Sequence, residues 1–255
     1  MTSATAAAPV ASGVREPAPA HTGSRGTRVL GMAAVVGVVS VVVLGLFATE
    51  PDIFQGERAR LLYVHVPVAT VMNLGFAVTA LGSGMWLWKK SRWWDAVAVA
   101  SAEVGVVFTA LTLVNGSLWG KATWGTYWTW DARLTSTALL LLLYLGYLTV
   151  RRLPTDIEAR NRRSAWIALL AFVDVPIVYY SVDWWRSLHQ EATLAVNTQI
   201  EGLMLFTLMF GIVVALVVYA WLLVHRFRVA WLEDQLDEVG LDVAIEARRA
   251  EAVSP

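Results

Sequence analysis

A tryptophan-rich segment that ends in an acid is the first feature of the sequence suited to binding a ligand. Residues 119–135 read WGKATWGTYWTWDARLT, with Trp119, Trp124, Trp128 and Trp130 followed by Asp131. Each buried indole needs a partner for its N–H group, so a protein core rarely concentrates tryptophan in this way. The segment is typical of a flat, partly apolar surface that holds a planar ligand.

Two histidines flank this segment in the chain, His65 in YVHVPVA and His189 in VDWWRSLHQ. The chain has no cysteine, which excludes thiolate metal sites and attachment of haem through protein thioethers. Structural zinc takes four ligands, whereas haem iron takes two axial ligands, and imidazole suits both positions. The pair therefore predicts a haem ligated by His65 and His189. The competing interpretation is that each histidine only lies at a membrane interface.

The neighbouring side chains suit the rest of a haem. The indoles of the segment, together with Trp184 and Trp185, offer an apolar floor for the macrocycle. The propionates need cations or hydrogen-bond donors, and four cations are at hand: Arg60, Lys121, Arg133 and Arg186. Asp131 has two compatible interpretations, a cap of the helix that follows it or a direct role in the site.

The composition predicts the scaffold that must position these groups. Hydrophobic residues make up 57% of the 255 residues, mean hydropathy is +0.55 and the net charge is zero. A strongly basic nucleic-acid-binding protein is thereby excluded and a membrane protein is indicated. Apolar runs of about twenty residues, enough to cross a bilayer, recur near 29–48, 64–87, 97–117, 134–150, 164–182 and 203–224. The predicted fold is all-α, a polytopic membrane protein with six transmembrane helices.

Lysine and arginine near the ends of these runs predict the orientation. One side carries twelve of them: Arg25, Arg28, Lys89, Lys90, Arg92, Arg151, Arg152, Arg160, Arg162, Arg163, Arg226 and Arg228. The other side carries five: Arg58, Arg60, Lys121, Arg133 and Arg186. Both termini are therefore expected in the cytoplasm. The loops at 49–63, 118–133 and 183–202 then face outward, and the tryptophan-rich loop 118–133 shares the outer face with both histidines.

The ends of the chain fall outside the predicted membrane domain, which spans 29–226. Residues 1–28 are rich in Ala, Pro, Ser, Thr and Gly, which predicts a disordered cytoplasmic tail. Residues 227–255 form a cytoplasmic C-terminal tail, in which a roughly helical spacing of apolar residues leaves a surface helix or a solvated extension open. Within the spans, Glu103 and Asp174 should face the bundle interior or a cavity. Either they line a cavity or a haem path, or they form hydrogen bonds between helices, with Asp174 bonding to backbone that Pro176 leaves unpaired.

Three motifs resemble one protein family. WGTYWTWDARLTS at 124–136 is similar to the tryptophan-rich "WWD" signature of the haem-handling proteins of cytochrome c biogenesis. Together with YVHVP, DWWRSLHQ and six spans, it resembles the cytochrome c maturation protein C family, also called the haem exporter protein C family. The resemblance covers roughly residues 29–226, and the motifs agree in order and spacing.

The resemblance implies haem delivery, with no enzymatic activity. Members hold haem b as a transient cargo at the outer face of the bacterial cytoplasmic (inner) membrane and load it onto a membrane-anchored haem chaperone. They associate with ABC-type transporter subunits and a small membrane subunit of the maturation complex. Carried over, His65 and His189 are the axial ligands. The predicted surroundings of the haem are Trp119, Trp124, Trp128, Trp130, Asp131, Arg133, Trp184, Trp185 and Arg186.

Two other classes of protein stay open from the sequence. A membrane b-type cytochrome that passes electrons, for instance to a quinone, would normally place more ligands inside its helices. A solute permease or a structural subunit would make the pairing of His65 and His189 a coincidence. Extracted haem separates this last class from the other two, and dependence of chaperone loading on the tryptophan loop separates a carrier from a cytochrome.

Overall fold

The chain forms a bundle of helices in the computed structural model, which describes residues 23–153, 156–189 and 200–253. A π-helical turn, Leu44–Ala48, continues the first helix, and a 3-10 turn, Glu57–Leu61, precedes the second. No strand occurs in those ranges. The helices are α1 (Arg25–Val43), α2 (Leu62–Lys89), α3 (Arg92–Trp124), α4 (Ala132–Arg151), α5 (Ile157–Phe172), α6 (Asp174–Trp184) and α7 (Gly202–Val253).

Six helical segments in the described part of the chain are long and apolar enough to cross a membrane. The all-α fold and the six spans are thereby confirmed, and the chain is a multi-pass membrane protein. The spanning segments run Arg25–Ala48, Glu57–Lys89, Arg92–Trp124, Ala132–Arg151, Ile157–Trp184 and Gly202–Leu236. Each is longer than its apolar run, because polar residues at the membrane surface extend the helices.

The fifth span consists of two helices, α5 and α6, that meet at Val173. Pro176 in the first turn of α6 has no N–H to donate to the carbonyl group four residues earlier, which favours the break. Asp174 begins α6 and is buried, and its Oδ2 has no hydrogen-bond partner. The expected bond from this oxygen to the backbone that Pro176 leaves unpaired is therefore not formed.

The two predicted tails differ in how far they are described. Most of the N-terminal tail, residues 1–22, lies outside the described residues, and α1 begins at Arg25 with Ser24 as its cap. At the other end α7 continues without interruption to Val253. The segment after 226 is therefore a continuation of the last spanning helix.

The core forms where α2, α3 and α4 meet α5, α6 and α7. Phe76 of α2 stacks on Tyr144 of α4, with ring centroids 3.7 Å apart, and both are fully buried. At Gly211, α7 comes close to α2, where a Cβ would lie 3.2 Å from Cγ of Pro67. A larger residue at 211 would push the two helices apart.

The two ends of the bundle carry different chemistry. The histidine end holds His65, at the start of α2, and His189, after α6. The arginine end holds Arg92, Arg151 and Arg226, at the opposite ends of α3, α4 and the spanning part of α7.

Ion pairs join four helices at the arginine end. Arg151 of α4 donates from both Nη atoms to the carboxylate of Asp95 on α3, at 2.8 and 2.6 Å, and both side chains are almost completely buried. Arg226 of α7 donates to Glu103 of α3 at 2.5 Å. Asp234 of α7 accepts from Arg92 and Arg160. Glu103 thus bonds across helices, and the charges surround a polar cavity of about 270 Å³.

We expect Asp95→Ala to be strongly destabilising, because it leaves the buried Arg151 guanidinium without its partner. Loss of one member of a buried pair costs about 3–5 kcal/mol. Denaturant unfolding of the protein in detergent measures the difference. The control is Glu158→Ala, which breaks the exposed Lys90–Glu158 pair at a cost of about 0–1 kcal/mol. Equal, small effects of the two substitutions would contradict the structural role of Asp95.

Candidate ligand-binding site

A cavity of about 360 Å³ lies at the histidine end, between α2, α3, α4 and α6. It brings together five of the residues that the sequence predicted: His65, Trp119, Trp124, Arg133 and His189. It also includes residues that were not predicted as site residues, among them Gln55, Asn73, Thr112, Tyr179 and Leu188. Most of the lining is apolar, which suits a ligand with a large apolar face.

His65 stands in the first turn of α2 and packs against α3. Its ring lies edge-on to Trp119, with centroids 5.6 Å apart. The ring edge that carries Cε1 and Nδ1 faces Gly116, where a Cβ would lie 3.1 Å from Cε1. Nδ1 is buried and has no hydrogen-bond partner. Glycine at 116 therefore gives the imidazole its place beside the cavity.

His189 reaches the same cavity from the segment that follows α6. Its ring lies edge-on to Trp124, with centroids 4.9 Å apart. Its Nδ1 lies 2.9 Å from Oδ1 of Asp131, and its backbone N–H donates to Oγ of Ser187 at 3.0 Å. Contacts at both the ring and the backbone thus fix its position.

The carboxylate of Asp131 is the centre of a network with five donors. Oδ1 accepts from Nδ1 of His189 and from the backbone N–H groups of Arg133 and Leu134, which caps α4. Oδ2 accepts from Oγ of Ser187 at 2.6 Å and from the backbone N–H of Leu188 at 2.8 Å. Asp131 therefore caps α4, one of the two interpretations that the sequence left open, and it also bonds to His189.

The electrostatics of this network fix the protonation of His189. Burial opposes ionisation of Asp131, but its hydrogen bonds from Ser187, Leu188 and His189 hold the pKa of the carboxyl below its ordinary value. An ionised carboxylate only accepts hydrogen bonds, so the proton of the pair sits on Nδ1 of His189. Burial lowers the pKa of His189, and Asp131 offsets this only in part. The imidazole is therefore neutral at pH 7, with the lone pair of Nε2 free for a metal.

The four tryptophans of the loop divide into two pairs. Trp119 and Trp124 lie in the cavity wall, and Nε1 of Trp119 donates to Oε1 of Gln55 at 3.1 Å. Trp128 and Trp130 pack edge-on against each other, 5.7 Å apart, and do not line the cavity. The predicted boundary of loop 118–133 is wrong at its start, because α3 continues as a helix to Trp124 and ends at Gly125 with φ +78°.

Three residues at the end of α6 were predicted around the ligand and lie outside the cavity wall: Trp184, Trp185 and Arg186. Trp184 stacks on Tyr180 at 5.5 Å, and Trp185 packs edge-on against Trp184. Arg186 is exposed and does not line the cavity either. Of the described residues that follow α6, only Leu188 and His189 line the cavity.

Of the four candidate cations, only Arg133 lines the cavity, and its Nη2 donates to the carbonyl oxygen of Tyr179 at 2.9 Å. Arg60 donates to the carbonyl groups of Gly45 and Leu46 at the end of the first span. Lys121 donates to the carbonyl oxygen of Gly125 at 2.9 Å. Helix ends leave carbonyl groups without partners, and these two cations satisfy them.

The donors fit an iron porphyrin better than a bare metal ion. In the described residues no group of three or more His, Cys, Asp or Glu side chains is placed to hold a metal. Two imidazoles at one apolar, indole-lined cavity suit the two axial positions of haem iron. The Asp131–His189 pair is the carboxylate–histidine arrangement that commonly supports a metal ligand.

The sequence matches the family model described as "Heme exporter protein C" over residues 17–240. The chain belongs to the heme exporter protein C family. The resemblance carried by the tryptophan and histidine motifs is thereby confirmed.

Members of the heme exporter protein C family are among the similar curated proteins. The one from Bradyrhizobium diazoefficiens is 39% identical over 171 residues, 66% of this chain and 64% of the relative. The one from Haemophilus influenzae is 35% identical over 199 residues, 76% of this chain and 79% of the relative. A mitochondrial protein from Marchantia polymorpha, with cytochrome c biosynthesis in its name, is 36% identical over 154 residues, 60% of this chain and 65% of the relative. The chain spans just under two thirds of the first and third of these.

In this heme exporter protein C family member, the substitution Asp131→Asn tests the hydrogen bonds to residues 187–189 separately from the cap of α4. Asparagine caps helices as well as aspartate, so α4 should keep its first turn. The amide has one acceptor oxygen in place of two, so the bonds to Ser187, Leu188 and His189 cannot all form. We expect faster hydrogen exchange at the backbone N–H of Leu188, measured by mass spectrometry.

The matched control is Asp156→Asn at the cap of α5, where the carboxylate accepts from the backbone N–H of Ala159. We expect no change in exchange at Leu188 in this variant. Unchanged exchange at Leu188 in Asp131→Asn as well would mean that the network does not hold the segment.

Proposed function

We propose that this protein binds haem at the outer face of a bacterial cytoplasmic membrane and presents it to a membrane-anchored haem chaperone during cytochrome c biogenesis. The observation that carries the proposal is the placement of His65 and His189 at one cavity. Family membership supports haem as the cargo, and the geometry supports the way in which it is held.

The cavity suits a cargo that is held and then released. Two coordinate bonds to neutral imidazoles and contacts with Trp119 and Trp124 bind haem without a covalent bond to the protein. The absence of cysteine from the chain excludes a thioether link. Ligand exchange at the iron is then enough to let the haem leave.

The position of the cavity supports delivery on the outer side. It lies at the histidine end, where the chain carries five of the seventeen lysine and arginine residues counted near span ends. The positive-inside rule places the other end in the cytoplasm. The chaperone would therefore meet the haem at the histidine end, next to the exposed indole of Trp130, which is 84% accessible.

The same proposal covers the partners and the absence of enzymatic chemistry. The protein works with ABC-type transporter subunits and a small membrane subunit, and it performs no reaction on the haem itself. An electron-transferring cytochrome is disfavoured, because the one further histidine within the described spans, His225, does not line the cavity. It packs edge-on against Trp221 at the arginine end of the spanning part of α7.

The first test is an absorption spectrum of the protein purified after co-expression with its haem chaperone. We expect a Soret band in the wild type, and we expect His65→Ala and His189→Ala each to lower retained haem and chaperone loading. His225→Ala is the matched control and should change neither. A loss in His225→Ala equal to the other two would contradict the assigned site and orientation.

The division of the tryptophans gives a second prediction. Trp124→Ala removes a wall of the cavity and should lower retained haem. Trp130→Ala removes an exposed indole outside the cavity and should leave haem bound while slowing its transfer to the chaperone. Both quantities can be followed in one stopped-flow absorption experiment. Trp93→Ala, at the arginine end, is the control, and an equal loss in all three would leave only a general role in the membrane interface.

A further inference from the structure

The two histidines of the cavity are held in different ways. His189 has a carboxylate behind its ring, and His65 has none. Since a metal-bound imidazole donates more strongly when its other nitrogen is bonded to a carboxylate, this difference bears on how each would hold iron.

On the His189 side, every polar atom behind the ligand has a partner. Nδ1 donates to Oδ1 of Asp131 at 2.9 Å. The Asp131 side chain is only 2% exposed, and Ser187 and Leu188 hold its second oxygen. These bonds hold the carboxylate beside the ring, where it raises the basicity of the imidazole as a metal ligand. A ligand of this kind binds iron tightly and in one orientation.

On the His65 side, a neutral amide takes the place of the carboxylate. Nδ1 of His65 is buried against α3 without a hydrogen bond. The neighbouring polar side chain is that of Asn115, a neutral amide whose Oδ1 is also buried without a partner. Because this amide carries no charge, it reinforces the electron donation of His65 less than the Asp131 carboxylate reinforces that of His189.

We propose that His189 is the retained ligand of the haem iron and that His65 is the ligand exchanged when haem is passed to its acceptor. In this step the bond from iron to nitrogen of His65 breaks and a bond from iron to a neutral donor atom of the acceptor forms. The charge and oxidation state of the iron do not change, and no proton is transferred. The inference rests on the proposed function and adds the order in which the ligands leave. Asp131 is a positioning residue in it, acting through His189.

The test compares His65→Gly with His189→Gly after purification with haem. We expect His65→Gly to keep most of its haem as a five-coordinate, high-spin species that becomes low-spin when imidazole is added. We expect His189→Gly to lose haem affinity by about tenfold more, the usual scale for loss of support at a metal ligand. A wild type without a Soret band would contradict the proposed function itself. A wild type with haem but equal loss in both variants, or greater loss in His65→Gly, would overturn this inference alone.

Two further variants separate a role at the iron from a role in folding. In ferrous His65→Gly, adding Asp131→Asn should shift the iron–histidine stretching band in the resonance Raman spectrum to lower frequency. A merely structural role would lower haem content without moving the band. Asn115→Asp gives His65 a carboxylate of its own and should slow haem transfer to apomyoglobin by about tenfold. An unmoved band, or transfer as fast as in the wild type, would overturn the inference.

Discussion

One buried carboxylate determines the geometry of the histidine end. Asp131 accepts five hydrogen bonds, two from the first turn of α4 and three from Ser187, Leu188 and His189, more than fifty residues further along the chain. A buried charge is costly unless all its hydrogen-bonding capacity is used. If residues 187–189 moved away from α4, the buried carboxylate of Asp131 would lose three of its five hydrogen bonds. His189 lies beyond the end of α6, so no helix holds it in place. Its position depends on the hydrogen bonds to Asp131.

The two ends of the bundle use their cations differently. At the arginine end guanidinium groups bond to carboxylates, as in Arg151 with Asp95 and Arg226 with Glu103. At the histidine end Arg60, Lys121 and Arg133 donate to backbone carbonyl oxygens, and Arg60 also pairs with Glu57 within its own 3-10 turn. The first arrangement joins helices to one another, and the second secures the ends of helices and turns around the cavity. The imidazoles and indoles there are left available to a ligand.

The sequence predicted the features that depend on local pattern and missed those that depend on distant contacts. The six apolar runs correctly predicted six spanning helices. The predicted spans were too short at their ends, because hydropathy does not detect polar residues that continue a helix. His65, His189, Trp119, Trp124 and Arg133 were predicted together and lie together. Gln55 lines the cavity, and Arg60 and Lys121 bond to carbonyl groups. These contacts depend on where the ends of α1 and α3 lie in the folded protein. No spacing along the chain carries that information.

The length of α7 means that the helix cannot lie wholly within a bilayer. At about 1.5 Å per residue its 52 residues extend roughly 78 Å, far more than the hydrocarbon core of a bilayer, about 30 Å. Asp234 of α7 forms ion pairs with Arg92 of α3 and Arg160 of α5. These ion pairs fasten α7 to the bundle at the arginine end, and the helix itself continues to Val253. Because the spanning segment of α7 ends at Leu236, the rest of the helix extends past the membrane as a continuous helix.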